Sequence, residues 1–204
     1  TDIAMPLKNG YEFTTIVKQD ERTSHIPIVM LTAKVESNDR MEGYRRGANA
    51  YLTKPFDESE LLLVLQNLLH LQQQWKHRYA DYIKLQKKQE TSDFSPEEVS
   101  IEDQFMQRLQ ETFAQHYMDD SFNLDRLCRT LNISSSQLDR KLKVLTNQSP
   151  MLMLRTFRLQ MAQALLRKEP HMSIKEVCFR TGFKSPSHFS RLYSKEFGVP
   201  PSAG

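Results

Sequence analysis

The carboxyl-terminal part of the chain contains two copies of one sequence pattern. Residues 124–133 match residues 174–183 at an offset of 50, and residues 136–142 match residues 187–193 at an offset of 51. Each copy begins with a helix-capping residue type and turns at Asn or Gly, which tolerate a positive φ. A second, basic helix follows the turn. This order predicts two helix-turn-helix units, whose second helices enter the DNA major groove.

The repeats lie in a basic segment, although the net charge of the 204-residue chain is only +3. Residues 121–204 carry 14 basic and 5 acidic side chains, a net charge of +9. Residues 1–120 carry 14 basic and 20 acidic ones, a net charge of −6. A positive field attracts nucleic acid. A solvated basic surface is the alternative, which charge by itself does not exclude.

Helix geometry indicates which side chains of the second helices could read bases. Apolar positions such as Leu138 and Phe189 must face the core. Arg140 and Arg191 match in the repeat, and an outward arginine can bond O6 and N7 of guanine. A phosphate contact or a solvated side chain is the alternative at each position. The predicted DNA-contacting residues are Ser136, Gln137, Arg140, Lys141, Lys184, Ser185, Ser187, His188 and Arg191, with Lys184 and Ser185 expected at phosphates.

The segment between the two copies, residues 151–168, reads as one continuous helix with few polar faces. A helix of about 18 residues, rising about 1.5 Å per residue, spans roughly 27 Å. A rigid helix of that length could hold two recognition helices about one DNA turn, or about 34 Å, apart.

The first 56 residues alternate strand and helix signals. Residues 26–32 form a short apolar run typical of a buried parallel strand, and residues 50–53 read as another. Helices are predicted over residues 11–20 and 37–46, the second ended by Gly47. This alternation indicates a parallel sheet flanked by helices.

A long helix is predicted from about Glu58. Its apolar residues from Leu61 to Leu85 are three and four apart, with Arg78 as the one break. Two interpretations stay open. The helix packs on the sheet as part of the core, or it forms a coiled coil that joins two copies of the chain.

Residues 86–100 are polar and contain Pro96, which indicates a linker. The chain therefore divides into a first domain, a connector and an all-α domain. The expected boundaries are 1–72 for the first domain, 73–100 for the helical connector and linker, and 101–204 for the all-α domain, with helix-turn-helix units at about 123–146 and 173–197 on either side of the helix 151–168.

Two stretches of the basic segment are specific enough to indicate a family. They are residues 154–159 of the linker helix and residues 177–191 of the second copy, continued by residues 197–202. Together they resemble the DNA-binding domain of the AraC family of bacterial transcription activators, a resemblance that covers residues 122–203. The family ordinarily continues past this point with an aromatic and a basic residue, so we expect the final turn to be absent or altered here.

Four residues of the amino-terminal segment recur at a characteristic spacing. Asp2 precedes a Met-Pro pair, Thr32 ends a predicted strand, and Tyr51 and Lys54 flank the end of the next strand before Pro55. This pattern resembles the second half of a response-regulator receiver domain. The resemblance implies that Asp2 accepts a phosphoryl group, Thr32 bonds a phosphoryl oxygen and Lys54 pairs with its charge. It also implies that Tyr51 swings inward with Thr32 and that the Lys-Pro bond is cis.

The receiver resemblance further implies a Mg²⁺ ion held by Asp2 and the backbone carbonyl of Ala4, since phosphoryl transfer to a carboxylate needs cations. A receiver also begins with two strands, two helices and an acidic pair that binds Mg²⁺, none of which precedes Thr1. We therefore expect a fragment that binds Mg²⁺ poorly and is phosphorylated inefficiently. The expected fold is a partial doubly wound, flavodoxin-like α/β receiver, truncated at its amino terminus, followed by an all-α double helix-turn-helix domain.

The order of receiver, connector and AraC-type domain resembles the end of hybrid two-component regulators of Bacteroidetes, in which a sensor kinase and a response regulator share one chain. A free-standing response regulator would look the same. The expected function is phosphorylation-controlled, sequence-specific DNA binding by a homodimer that regulates transcription. The expected partners are duplex DNA and a histidine kinase domain, in cis or in trans.

Two alternatives to this function stay open. One is a receiver module that acts through protein binding while the basic domain binds nucleic acid non-specifically, and the other is a single-stranded nucleic-acid binder. No enzymatic activity and no lipid contact are expected within this segment. Two cysteines without a secretory signal favour a reducing, cytoplasmic compartment, or the cytoplasmic end of a membrane-anchored sensor.

Overall fold

The computed structural model describes residues 1–33, 37–80 and 100–203. A small α/β part comes first and a helical part follows, which confirms the predicted fold class. The elements are α1 Gly10–Gln19, β1 Val29–Thr32, α2 Ser37–Arg45, β2 Ala50–Thr53, α3 Glu58–Ala80, α4 Ile101–His116, α5 Leu124–Leu131, α6 Ser135–Thr146, α7 Pro150–Lys168, α8 Ile174–Arg180 and α9 Pro186–Phe197, with a final 3₁₀ turn at Pro201–Ala203.

The sheet consists of β1 and β2 in parallel register, with Val29 opposite Ala50 and Thr32 opposite Thr53. Asp2 adds a parallel bridge to Leu31, so that a third chain segment lies along β1. Strand β1 begins at Val29, later than predicted, and the N–H of the preceding Ile28 donates to the Asn49 side-chain oxygen at 2.9 Å instead of to a strand carbonyl. One cluster of buried apolar residues in this part consists of Ile28, Met30, Ala48 and Tyr51, with Ile3, Tyr11 and Val17 packed against it.

Helix α3 leaves the sheet and joins the helical part. It contacts both β2 and α6, and Tyr79 near its end is a member of the core that α4, α5 and α6 share. Of the predicted heptad seam, Trp75 packs against this core, whereas the seam residues before it are only half-buried, so the core and the coiled-coil interpretations both stay open. Tyr82 and Leu85 lie outside the described residues. The helix also runs without interruption across residue 72, where the sequence placed a domain boundary.

The two helix-turn-helix units have separate cores that share helix α7. Met153, Leu154 and Phe157 belong to the core around α4, α5 and α6, whereas Leu159 and Ala162 belong to the core around α8 and α9. This double duty explains why the sequence of α7 shows few polar faces. Of the helices in the described ranges, none is long and apolar enough to cross a membrane.

The amino-terminal segment and the helical part meet at residues 20–25. The Arg108 guanidinium of α4 lies 2.7 Å from a Glu21 carboxylate oxygen. The Lys141 ammonium of α6 donates to the Glu21 carbonyl at 2.5 Å and to Ser24 Oγ at 3.1 Å. These bonds join residues that are 87 to 120 positions apart in the chain.

Candidate phosphoryl site and nucleic-acid interface

Asp2, Thr32 and Lys54 come together at one edge of the small sheet. Because the carboxyl ends of parallel strands meet at the same edge, residues at three strand ends become neighbours. The Lys54 ammonium lies 2.6 Å from Asp2 Oδ2, and the Lys54 backbone N–H donates to the Thr32 carbonyl at 2.7 Å. The Lys54-Pro55 peptide bond is cis, as the receiver resemblance implied.

The ion pair with Lys54 stabilises the ionised form of Asp2. The bonded ammonium holds the pKa of the Asp2 carboxyl below its ordinary value, and backbone hydrogen bonds from Ala4 and Ile3 act in the same direction. Asp2 is therefore an ionised carboxylate, and its side chain is 39% exposed, within reach of a phosphodonor in solution. Gly10 lies directly behind it, since a Cβ there would be 2.4 Å from the Asp2 carbonyl oxygen.

Tyr51 is buried beneath this edge, next to Tyr44. Their rings meet edge to face with centroids 5.0 Å apart. A Cβ on Gly43 would overlap the Tyr51 hydroxyl, so glycine at that position makes room for the inward ring. The switching role of Tyr51 with Thr32 stays a prediction.

The residues at this edge do not make a complete Mg²⁺ site. Within residues 1–33, 37–80 and 100–203, no group of three or more His, Cys, Asp or Glu side chains could hold a metal ion. Of the two predicted ligands, Asp2 has one carboxylate oxygen bound to Lys54, and the Ala4 carbonyl would add one further oxygen. Mg²⁺ prefers six oxygen ligands, several of them water or phosphate. The expectation of Mg²⁺ in a complete receiver stays a prediction.

Helix α9 presents the predicted residues of the second unit on one open side. Phe189 and Tyr193 are buried, and Lys184, Ser187, His188 and Arg191 are exposed. Ser185 is the N-cap of this helix, and its hydroxyl oxygen accepts from the His188 backbone N–H. The remaining N-terminal amides and these exposed side chains form a surface that matches the groups proteins use on DNA.

Helix α6 presents only part of the set predicted for the first unit. Ser136 and Arg140 are exposed, and Arg140 stands at the position equivalent to Arg191. Gln137 is half-buried, and its side-chain oxygen accepts from Ser134 Oγ at 2.8 Å in a capping box. Gln137 therefore has a structural task at the start of α6.

The expectation that Lys141 faces outward is wrong. Its side chain is fully buried against residues 20–25, and its ammonium lies 4.7 Å from the centroid of the Phe105 ring and 3.8 Å from Glu102 Oε1. Helical spacing located the apolar face of α6 correctly, but it held no information on the distant segment that covers the flank of the helix.

Two arginines of the linker helix α7 belong to the same surface and were not among the predicted residues. Arg155 and Arg158 line a cavity of ≈ 320 Å³ together with Lys184, Ser185 and His188. Arg155 is exposed, whereas Arg158 is half-buried and bonded to backbone carbonyls. Two arginines three apart in the largely apolar first half of the helix were the available sequence signal.

Comparison with known proteins identifies both parts of the chain. The response regulator receiver domain family matches residues 1–66, and a helix-turn-helix domain family matches residues 127–203. A relative called histidine kinase P4, from Formosa agariphila, is 29% identical over 99% of this chain, which spans 14% of that relative. The response regulator Rre1 of Synechocystis is 41% identical over 42% of this chain and 37% of its own length.

Solved structures include the C-terminal domain of AraT, a response regulator from Geobacillus stearothermophilus. It is 25% identical, with a TM-score of 0.45, over 55% of this chain and 85% of that one. The chain thus spans well under half of the curated relatives named above. The two family matches identify a response regulator receiver domain sequence at residues 1–66, followed by a helix-turn-helix domain at residues 127–203.

Proposed function

We propose that the chain is a sequence-specific, duplex DNA-binding transcription regulator whose activity is controlled by phosphorylation within a hybrid two-component system. The DNA-binding part of this proposal rests on one observation, the equivalence of Arg140 and Arg191 in the repeat. Both are exposed at the same position of the second helix of each repeat, while their apolar neighbours are buried. Two such helices on one rigid α7 suit a bipartite DNA site.

The test of DNA binding is a selection of duplexes from a random pool with the purified chain, followed by affinity measurements at several salt concentrations. We expect the selected duplex to bind roughly a thousandfold more tightly than a scrambled duplex. The affinity should also fall steeply with salt, because bound lysines and arginines release counterions. Equal affinity for selected duplex, scrambled duplex and single strands would instead favour non-specific or single-stranded binding.

Phosphorylation control rests on the geometry around Asp2. A carboxylate paired with Lys54 at 2.6 Å, at the strand edge that also holds Thr32, has the nucleophile and the cation that phosphoryl transfer needs. Incubation with acetyl phosphate and Mg²⁺, followed by intact mass measurement, is expected to show less than one phosphoryl group per chain. That group should be lost in Asp2→Asn. Phosphorylation at another residue would contradict the role of Asp2, and stoichiometric phosphorylation would contradict the expected inefficiency.

The hybrid assignment is supported by the relative from Formosa agariphila, which is called a histidine kinase and aligns with 99% of this chain. In such a protein the kinase acts in cis, and this segment needs no enzymatic activity of its own. Homodimerisation through the receiver surface is part of the proposal. Sedimentation of the phosphorylated and unphosphorylated chain tests it, since only the phosphorylated form is expected to dimerise at micromolar concentration.

A further inference from the structure

Arg158 lies where three parts of the helical domain meet. Its Nε donates to the Tyr117 carbonyl at 2.9 Å, and its Nη2 donates to the Asp119 carbonyl at 2.6 Å. Tyr117 is the C-cap of α4, and Arg158 is near the middle of α7. A cation at the carboxyl end of a helix interacts favourably with the unpaired carbonyls there. The guanidinium thus ties α7 to the end of α4.

The turn of the second helix-turn-helix unit packs directly on this junction. Gly182 has φ +77°, and a Cβ at that position would lie 2.1 Å from the Tyr117 carbonyl oxygen and 2.8 Å from Arg158 Nε. Glycine is therefore required at position 182 for two reasons, the left-handed backbone conformation and the close contact with the Tyr117 carbonyl and Arg158. At this point the second unit touches the end of α4, a helix that shares the hydrophobic core of the first unit.

The neighbouring residues strengthen the same junction. The Tyr117 ring meets the ring of Phe157, the residue before Arg158, with centroids 5.9 Å apart. The Asp119 carboxylate binds the Arg126 guanidinium of α5 at 2.5 Å. One short segment after α4 thereby contacts α5, α7 and the turn before α9.

We propose that Arg158 is a positioning residue that fixes the second recognition helix, α9, relative to the first, α6, and so sets the spacing of the two half-sites that the chain accepts. This inference rests on the proposed DNA binding. The two hydrogen bonds of the planar guanidinium fix both the orientation and the distance of α7 relative to the end of α4. A lysine ammonium on a flexible side chain would not fix the orientation. The junction turns two repeats on one helix into a rigid pair.

The test uses the duplex selected by the wild-type chain and derivatives with one or two base pairs inserted between the half-sites. Two base pairs turn one half-site by roughly 70° about the duplex axis, because one turn takes about 10.5 base pairs. We expect the insertion to weaken wild-type binding at least tenfold. Arg158→Lys and Arg158→Met should bind the duplex of native spacing about tenfold more weakly than the wild-type chain does. Within each variant, the duplex with the insertion should bind less than threefold more weakly than the duplex of native spacing.

Two matched pairs separate positioning from charge and from folding. Arg155→Met removes an exposed arginine one turn away on α7, and it is expected to weaken binding equally at every spacing. Gly182→Ala should relax the spacing preference as the Arg158 variants do. Gly198→Ala, at φ +73° with no atom within 4 Å of its Cβ, imposes the same backbone strain and should keep the preference.

The outcomes distinguish the two proposals. If the wild-type chain enriches no duplex, the proposed function fails and this inference fails with it. If the wild-type chain prefers one spacing and Arg158→Lys and Gly182→Ala, both folded by circular dichroism, keep that preference, only the positioning role of Arg158 is overturned.

Discussion

At the scale of single residues, Arg191 offers the sharpest test of base reading. Its side chain is exposed on α9, next to buried Phe189 and Tyr193. Arg191→Ala is expected to cost about 1–3 kcal/mol in binding the selected duplex and to relax specificity at one base pair, since a bidentate contact to guanine is lost. Binding to a panel of single-base variants of that duplex measures this. A uniform loss across the panel would mean that Arg191 contacts phosphate.

Lys141 is expected to behave in the opposite way. Lys141→Met leaves the Glu21 carbonyl and the Ser24 hydroxyl without their buried donor, so the free energy of unfolding in urea should fall by about 1–3 kcal/mol. The affinity for the selected duplex should not change, because the side chain does not reach the surface. Lys143→Met, an exposed change two residues further along α6, is the control and should alter stability by less than about 0.5 kcal/mol. A large affinity loss in Lys141→Met with unchanged stability would contradict the buried role.

At the scale of elements, the two turns of the repeat share one backbone conformation but lie in different packing environments. Asn132 and Gly182 both adopt a positive φ, at 53° and 77°. Only Gly182 lies against the main chain of another element, which would clash with a Cβ. Asn is therefore tolerated in the first copy, and glycine is required in the second.

A substitution pair at the first turn tests this reading. Asn132→Ala should lower the free energy of unfolding by about 1 kcal/mol, because alanine is strained in the left-handed region. Asn132→Gly should be close to neutral, since glycine adopts this φ freely. Thermal or urea unfolding of the two variants measures the difference. Equal destabilisation by both would show that the Asn132 side chain, and not its backbone conformation, stabilises the turn.

The elements also show which parts of the fold the sequence could predict. Strand β2 was placed at its observed residues and α7 within one, because short apolar runs and helical spacing are local signals. The edge that unites Asp2 with Lys54 followed from the parallel order of the strands and from the receiver resemblance. The burial of Lys141 and the junction at Arg158 depend on segments 120 and 41 residues away, whose contacts leave no periodic signal.

At the scale of the whole molecule, the receiver segment and the helix-turn-helix part are held together by charged groups that are withdrawn from water. Lys18 of α1, Glu102 of α4 and Lys141 of α6 all act electrostatically on His25, which is only 5% exposed. Among the atoms that the described ranges contain, His25 Nδ1 has no hydrogen-bond partner. Burial, the main cause, together with the two lysines, lowers the pKa of His25 to about 4.

This pKa makes the stability of the joined molecule depend on pH. The imidazole has a pKa near 6.5 in the unfolded chain and about 4 in the folded one, so the unfolded state binds more protons between these values. The contribution of His25 to the free energy of unfolding is therefore fully present above about pH 6.5 and is lost as the pH falls toward 4. Between pH 7 and pH 5 the free energy of unfolding should drop by about 1–2 kcal/mol through this one group. His25→Gln, which does not titrate, should remove that part of the drop in urea unfolding measured at both pH values. An unchanged drop in His25→Gln would mean that other groups, and not the histidine at the joint, make the assembly sensitive to acid.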